Sequence, residues 1–266
     1  MESFDSEVID QNSQKVPSRK IKPEIRPWIS LLVASSSIFL MTLDLGLTAV
    51  SLPEIRADFH ESKRQIINWG ATAYLVAMTS LLLLFGRLSD RYGRRKLFLI
   101  GLSITTMAVS LAAFTPNAEV FLLARTLQGA GIAILVPTAL AMVLGDIPQQ
   151  RQGAAVGLWG SIGAVAGVLG PISSGSLIEI FGWRATFALL AILGALALLA
   201  GVRVLNESYL PEVPENLDLM SVFSGIVSIG SVTLILLQGN DWGWFSRKVI
   251  FLFFLGVLVS CIFLIS

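Results

Sequence analysis

Two ionisable side chains stand inside long apolar runs, Asp44 and Arg125. At membrane depth an acid or base of this kind costs at least about 2.5–3.5 kcal/mol, so it ordinarily faces a polar path and has work to do, such as carrying a proton. Ser30, Ser37, Asp44, Thr48 and Ser51 follow one another at intervals of 7, 7, 4 and 3 residues, which places them on one face of a helix. That stripe is expected to line a cavity. The competing reading is a structural acid satisfied by a neighbour. If the first helix starts near Ser30 and the fourth near Ala118, Asp44 and Arg125 lie about 12 Å and 10 Å from the same membrane surface at 1.5 Å per residue. The two can therefore meet, and a pair would ease the burial of both charges.

The elements that must position them are membrane helices. Of 266 residues, 54% are hydrophobic and 14% charged, against about 45–50% and 25% in soluble domains. Mean hydropathy is +0.75 and the net charge is +1. A bilayer core needs about 20 apolar residues of helix. Eight runs qualify, near residues 28–51, 69–85, 97–114, 118–144, 153–180, 185–205, 219–237 and 249–266. The expected fold is all-α and polytopic. Residues 1–27 form a polar tail, 28–205 a six-helix transmembrane bundle, 206–218 a connector, and 219–266 two further spans. Twelve Lys and Arg fall on the side of the N-terminus and six on the other, with Arg125 inside a span. Basic loops stay inside, so both termini are expected to be cytoplasmic and the chain to sit in the plasma membrane, or the inner membrane of a bacterium.

Enzyme chemistry finds no foothold. The one cysteine, Cys261, lies in an apolar run, and the one histidine, His60, in a charged connector. No disulfide framework, paired-histidine metal site or nucleophile–base pair can be assembled from them. No metal, cofactor or nucleic-acid partner is expected; the expected partners are the lipid bilayer, a small-molecule substrate and protons.

The connector after span 2 reads Gly86-Arg87-Leu88-Ser89-Asp90-Arg91-Tyr92-Gly93-Arg94-Arg95-Lys96. A tight basic turn explains the bases but not the rest of the string, which resembles motif A of the major facilitator superfamily at its defining positions. Arg125-Thr126-Leu127-Gln128-Gly129-Ala130-Gly131 resembles motif B. Gly167-Val168-Leu169-Gly170-Pro171-Ile172-Ser173-Ser174-Gly175 is similar to motif C of the antiporter branch, departing from it at Ser174, where glycine is usual, and at Ala166. Leu43-Asp44-Leu45-Gly46, running on to Leu52-Pro53, resembles a stretch of the fourteen-span drug:proton antiporters, with Gly46 where threonine is usual. Trp69-Gly70-Ala71-Thr72-Ala73-Tyr74-Leu75, Gly182-Trp183-Arg184 and Asp241-Trp242-Gly243-Trp244 also fit that branch. The resemblance runs from about residue 28 to the end.

It implies a chain holding the N-terminal six-helix bundle and the inserted pair of spans, with the C-terminal bundle absent. The chain is then a fragment or truncated product, or it works with a second polypeptide that supplies that bundle. The implied activity is proton-coupled efflux of a small hydrophobic or cationic compound. A facilitator or symporter of a polar nutrient is one alternative, and a non-transporting assembly partner another. The resemblance places Arg125 with Asp44 in proton coupling, where a structural clamp between helices would look the same in sequence. Ser37, Thr48, Thr72, Thr79, Gln128 and Trp159 are candidates for the substrate cavity, though each could be an ordinary polar or interfacial residue.

Motif A is read as a latch of Gly86, Asp90, Arg91, Gly93, Arg94 and Asp146. In it the charges Asp90, Arg94 and Asp146 link the 2–3 connector to the end of span 4. Gly163, Gly167, Pro171 and Gly175, four residues apart, together with Gly170, are read as the motif C packing stripe.

Overall fold

The computed structural model describes residues 26–59, 64–207 and 219–265. The N-terminal tail through residue 25, His60 and most of the 206–218 connector lie outside the described residues. Eight helices follow in order: α1 Arg26–Asp58, α2 Arg64–Tyr92, α3 Arg94–Ala113, α4 Ala118–Asp146, α5 Gln149–Phe181, α6 Arg184–Val204, α7 Leu219–Trp242 and α8 Arg247–Ile265. No strand occurs among the described residues. Seven helices are long and apolar enough to cross a membrane among the described residues: those within α1 to α6, and Val222–Trp242 of α7. The eighth expected span is α8, a helix of 19 residues packed on α7.

The helices overrun the apolar runs. α1 continues through Pro53 to Asp58, and α2 continues to Tyr92. The turn expected over residues 86–96 is therefore mostly helix, and its break is one residue, Gly93, at φ 100°. Only glycine adopts that backbone without strain, and α3 starts at the next residue.

α4 is the centre of the six-helix bundle, packed against α1, α2 and α3, while α1 also packs on α5 and α6, and α3 on α6. Small residues set these contacts. A Cβ on Gly101 would lie 3.0 Å from the carbonyl oxygen of Gly131, so α3 and α4 meet backbone to backbone. The Tyr74 carbonyl on α2 occupies the space where a Cβ of Gly129 on α4 would sit. Without a hydrophobic force between helices in lipid, close approach of this kind is what holds a bundle together.

The contact of α5 with α1 corrects the expected stripe. Gly163, Ala166, Gly170 and Ser174 are buried on α5. Gly163 meets Ile38, and Gly170 and Pro171 meet Gly46. Gly167 and Gly175 have open space where a Cβ would be, so they are outside the contact. The strict four-residue interval drifts off a 3.6-residue helix, and the observed steps of three, four and four stay on one face.

The α7–α8 pair joins the bundle along α2. Gln238 Nε2 donates to Thr72 Oγ1 (2.9 Å), the Thr79 and Thr233 hydroxyls lie 3.0 Å apart, and Gly230 lets Ser80 approach.

Candidate functional site

Asp44 and Arg125 meet in the bundle core. Arg125 Nη1 donates to Asp44 Oδ1 at 2.8 Å and Oδ2 at 3.0 Å, and to Gln128 Oε1 at 2.6 Å. Both side chains of the pair are 1% exposed. Thr48, one turn along α1, donates to Asp44 Oδ1 at 3.3 Å. The guanidinium lies 4.4 Å over the ring of Tyr74 from α2 and 5.9 Å from that of Phe187 from α6. The positive charge is thus met by a carboxylate, an amide oxygen and an aromatic face, each of which is favourable for a desolvated cation. Gly70 makes room above it, because a Cβ there would touch Phe121 and come within 3.5 Å of Arg125 Cγ.

The polar stripe of α1 is packed inside the bundle instead of lining an open wall: Ser30, Ser37, Asp44, Thr48 and Ser51 are all buried. The serines can sit there because they bond backward along their own helix, Ser37 to the Ala34 carbonyl and Ser51 to that of Leu47. Of the residues considered for a cavity, Thr48 and Gln128 join the Asp44–Arg125 set. Thr72 and Thr79 lie under α7, and Ser37 is turned to its own backbone. Trp159 is half-buried on α5, its indole N–H without a partner among the described residues.

At the Gly93 end, Arg94 bridges three elements. Its Nε and Nη2 donate to Asp90 Oδ1 at 3.0 and 2.8 Å, and its Nη1 donates to the Ala141 carbonyl on α4 at 2.9 Å. This reach to α4 is made through a backbone carbonyl, one turn before the end of the helix at Asp146. Gly145 leaves the space for it, since a Cβ there would stand 2.6 Å from Arg94 Nη1. Gly86 packs loosely on Pro137, and Arg91 is exposed, near the Tyr92 ring.

Sequence reasoning missed Glu207. Its two carboxylate oxygens accept from the backbone N–H groups of Arg95 (3.0 Å) and Lys96 (3.2 Å), capping the N-terminus of α3 from beyond the end of α6. The bond spans more than a hundred residues, and no local spacing signals it.

At the opposite end, Trp183 is a core residue, not an interfacial one. Its ring packs with Phe59, Phe121 and Phe187 at centroid separations of 5.7–6.1 Å within the cluster. Trp183 Nε1 and Arg184 Nη1 both donate to Asp58 at the end of α1, at 3.2 and 2.6 Å. Gly182, at φ 76°, makes the turn that presents both. This aromatic layer lies between the Asp58–Arg184 pair and Arg125.

An apolar groove of about 650 Å³ on the flank of α3 and α4, lined by residues including Met107, Phe114 and Leu127, holds none of these residues. No group of three or more potential metal ligands occurs among the described residues.

The chain is 30% identical over 238 residues to the riboflavin transporter RibZ of Clostridioides difficile, covering 90% of this chain and 50% of that protein. It is 30% identical to the methylenomycin A resistance protein of Bacillus subtilis, covering 89% and 51%. With the tetracenomycin C resistance and export protein of Streptomyces glaucescens it shares 31% identity, covering 82% and 40%. The chain spans about half the length, or less, of these curated relatives. The family model described as Major Facilitator Superfamily matches residues 34–265, and the chain belongs to that superfamily of membrane transporters.

Proposed function

We propose that this chain is the N-terminal part of a proton-coupled exporter of a small hydrophobic or cationic compound, with Asp44 as the proton carrier. The observation that carries the reading is the buried pair. A carboxylate and a guanidinium with no solvent contact form a desolvated set whose energetics change sharply when the acid takes up a proton. Protonation cancels the attraction, leaving Arg125 to Gln128 and the Tyr74 ring. The two charge states therefore favour different helix arrangements, as coupling requires. Relatives named for resistance to methylenomycin A and for export of tetracenomycin C support an export direction. The chain would sit in the plasma membrane with the Gly93 end cytoplasmic, as the twelve-to-six distribution of Lys and Arg indicates. The second bundle would come from further sequence or from a second polypeptide.

The test uses the complete transporter in everted vesicles, with a fluorescent lipophilic cation as substrate and a pH-sensitive dye. Substrate addition should release protons, and Asp44→Asn should abolish that release. Proton movement at wild-type stoichiometry in the variant would make Asp44 structural. A relative named for riboflavin transport favours a second reading, carriage of a polar nutrient. Accumulation of riboflavin, but not of the cation, would select it.

A further inference from the structure

Tyr74 enters the sequence only as part of the Trp69–Leu75 stretch, yet it is the most enclosed aromatic beside the charge pair. It is 0% exposed, and its phenol oxygen has no hydrogen-bond partner among the described residues. The Nε of Arg125 is buried and unpartnered in the same way. The ring lies beneath the guanidinium at 4.4 Å. Among the helices packed against α2, the charges that act on the phenol are Asp44 of α1 and Arg125 of α4. The Tyr74 backbone is seated against Gly129 of α4, which keeps α2 close beside the pair.

We propose that Tyr74 is a further positioning residue of this site, whose hydroxyl is the hydrogen-bond donor that receives the Asp44 carboxyl group when Arg125 lets it go. The inference rests on the reading of Asp44 as a proton carrier. A buried hydroxyl without a partner is costly, and the stack on Arg125 needs only the ring. Phenylalanine would fill the same space and support the same cation. The hydroxyl is therefore superfluous to the arrangement seen and belongs to another state of the site.

That state follows from the bonds present. A proton from water adds to Asp44. Two Nη1–H···O contacts to the carboxylate weaken, and Arg125 keeps Gln128 Oε1 and the Tyr74 ring. The neutral carboxyl group retains a carbonyl oxygen in need of a donor, with Thr48 as its remaining one. The phenol supplies a second donor and keeps its own proton throughout, so the only proton transferred is the one carried by Asp44.

Infrared difference spectra between neutral and acidic pH on the purified chain in lipid vesicles test this. The band lost in Asp44→Asn identifies the protonated Asp44 carboxyl stretch. In Tyr74→Phe that band should move to higher wavenumber, as a carbonyl does on losing a donor, while the unfolding temperature equals or exceeds that of the wild type. Tyr74→Leu, which also removes the ring, should unfold at a lower temperature. An unchanged band in Tyr74→Phe overturns the assignment of Tyr74 and leaves the proton-carrying role of Asp44 intact. The absence of any Asp44 band in the wild type refutes that role and, with it, this proposal. Failure of Tyr74→Phe to fold would show that the hydroxyl has a structural partner and would refute the proposal as well.

Discussion

Removing one member of the Asp44–Arg125 pair should cost far more than removing both. Each is 1% exposed, so water cannot take the place of the missing partner. Breaking a buried pair from one side costs about 3–5 kcal/mol, while replacing both members with neutral groups is often close to harmless. The structure ranks the two single variants. In Asp44→Asn the guanidinium keeps Gln128 Oε1 at 2.6 Å and the Tyr74 ring at 4.4 Å. A desolvated cation–π contact contributes about 2 kcal/mol, so the expected loss is at the low end, about 3 kcal/mol. In Arg125→Leu the partner left to the carboxylate in this arrangement, among the described residues, is the Thr48 hydroxyl at 3.3 Å, and the loss at neutral pH lies at the high end, about 5 kcal/mol.

The two should also differ with pH. An unpaired carboxylate can neutralise itself by binding a proton, and a guanidinium cannot. The penalty of Arg125→Leu should therefore shrink on acidification, and that of Asp44→Asn should not. The assay is SDS unfolding of the purified chain in micelles, followed by tryptophan fluorescence, across the four members of the double-mutant cycle. The double variant should unfold within about 1 kcal/mol of the wild type. Additive losses in the double variant would refute the pairing as an energetic unit. Single losses below about 1 kcal/mol would show that water reaches the site.

Gly46→Thr should destabilise by about 1–3 kcal/mol through overpacking, because a Cβ there stands 2.6 Å from Pro171 Cδ; Gly167→Ala, with open space around it, should be silent in the same unfolding assay. Gly93→Ala should cost about 1–3 kcal/mol for a strained backbone at φ 100°, and hydrogen exchange should quicken at the Arg95 and Lys96 amides as Glu207 is displaced. A cysteine pair replacing Thr79 and Thr233, whose hydroxyls are 3.0 Å apart, should cross-link α2 to α7 under mild oxidation; no cross-link would mean that α7 sits elsewhere. Arg184→Gln should lower stability by no more than about 1 kcal/mol, since that pair is 44% and 43% exposed.

The helices and the charged pair were legible because each rests on a local signal. Long apolar runs give helices, and two charges at similar depth give a meeting point. What the sequence could not supply were contacts set by the rotation of one helix against another. The strict interval of Gly163, Gly167, Pro171 and Gly175 suggested a single stripe, yet Gly167 and Gly175 turn away from α1. The serines of α1 suggested a cavity wall, yet they are buried, and Ser37 and Ser51 satisfy their hydroxyls on their own helix. Glu207 on the amides of α3, and Gln238 on Thr72, join elements too distant in sequence for any spacing to reveal.

Two departures from the family pattern meet in one interface. Gly46, where threonine is usual, lets Gly170 and Pro171 of α5 press against α1. Ser174, where glycine is usual, lies one helical turn beyond Gly170, donates to the Leu47 carbonyl at 3.2 Å and lies 3.4 Å from the Ser51 hydroxyl. The glycine removes bulk where the helices are nearest, and the serine adds a polar bond next to that point. Thr42, two residues before Asp44, donates to the Gly163 carbonyl at 2.9 Å on the same side. Asp44 is thus bracketed by bonds from α1 to α5 while its own carboxylate is turned toward α4. The α1–α5 contact thus holds the backbone of α1 on either side of Asp44 from a direction other than that of its partner Arg125.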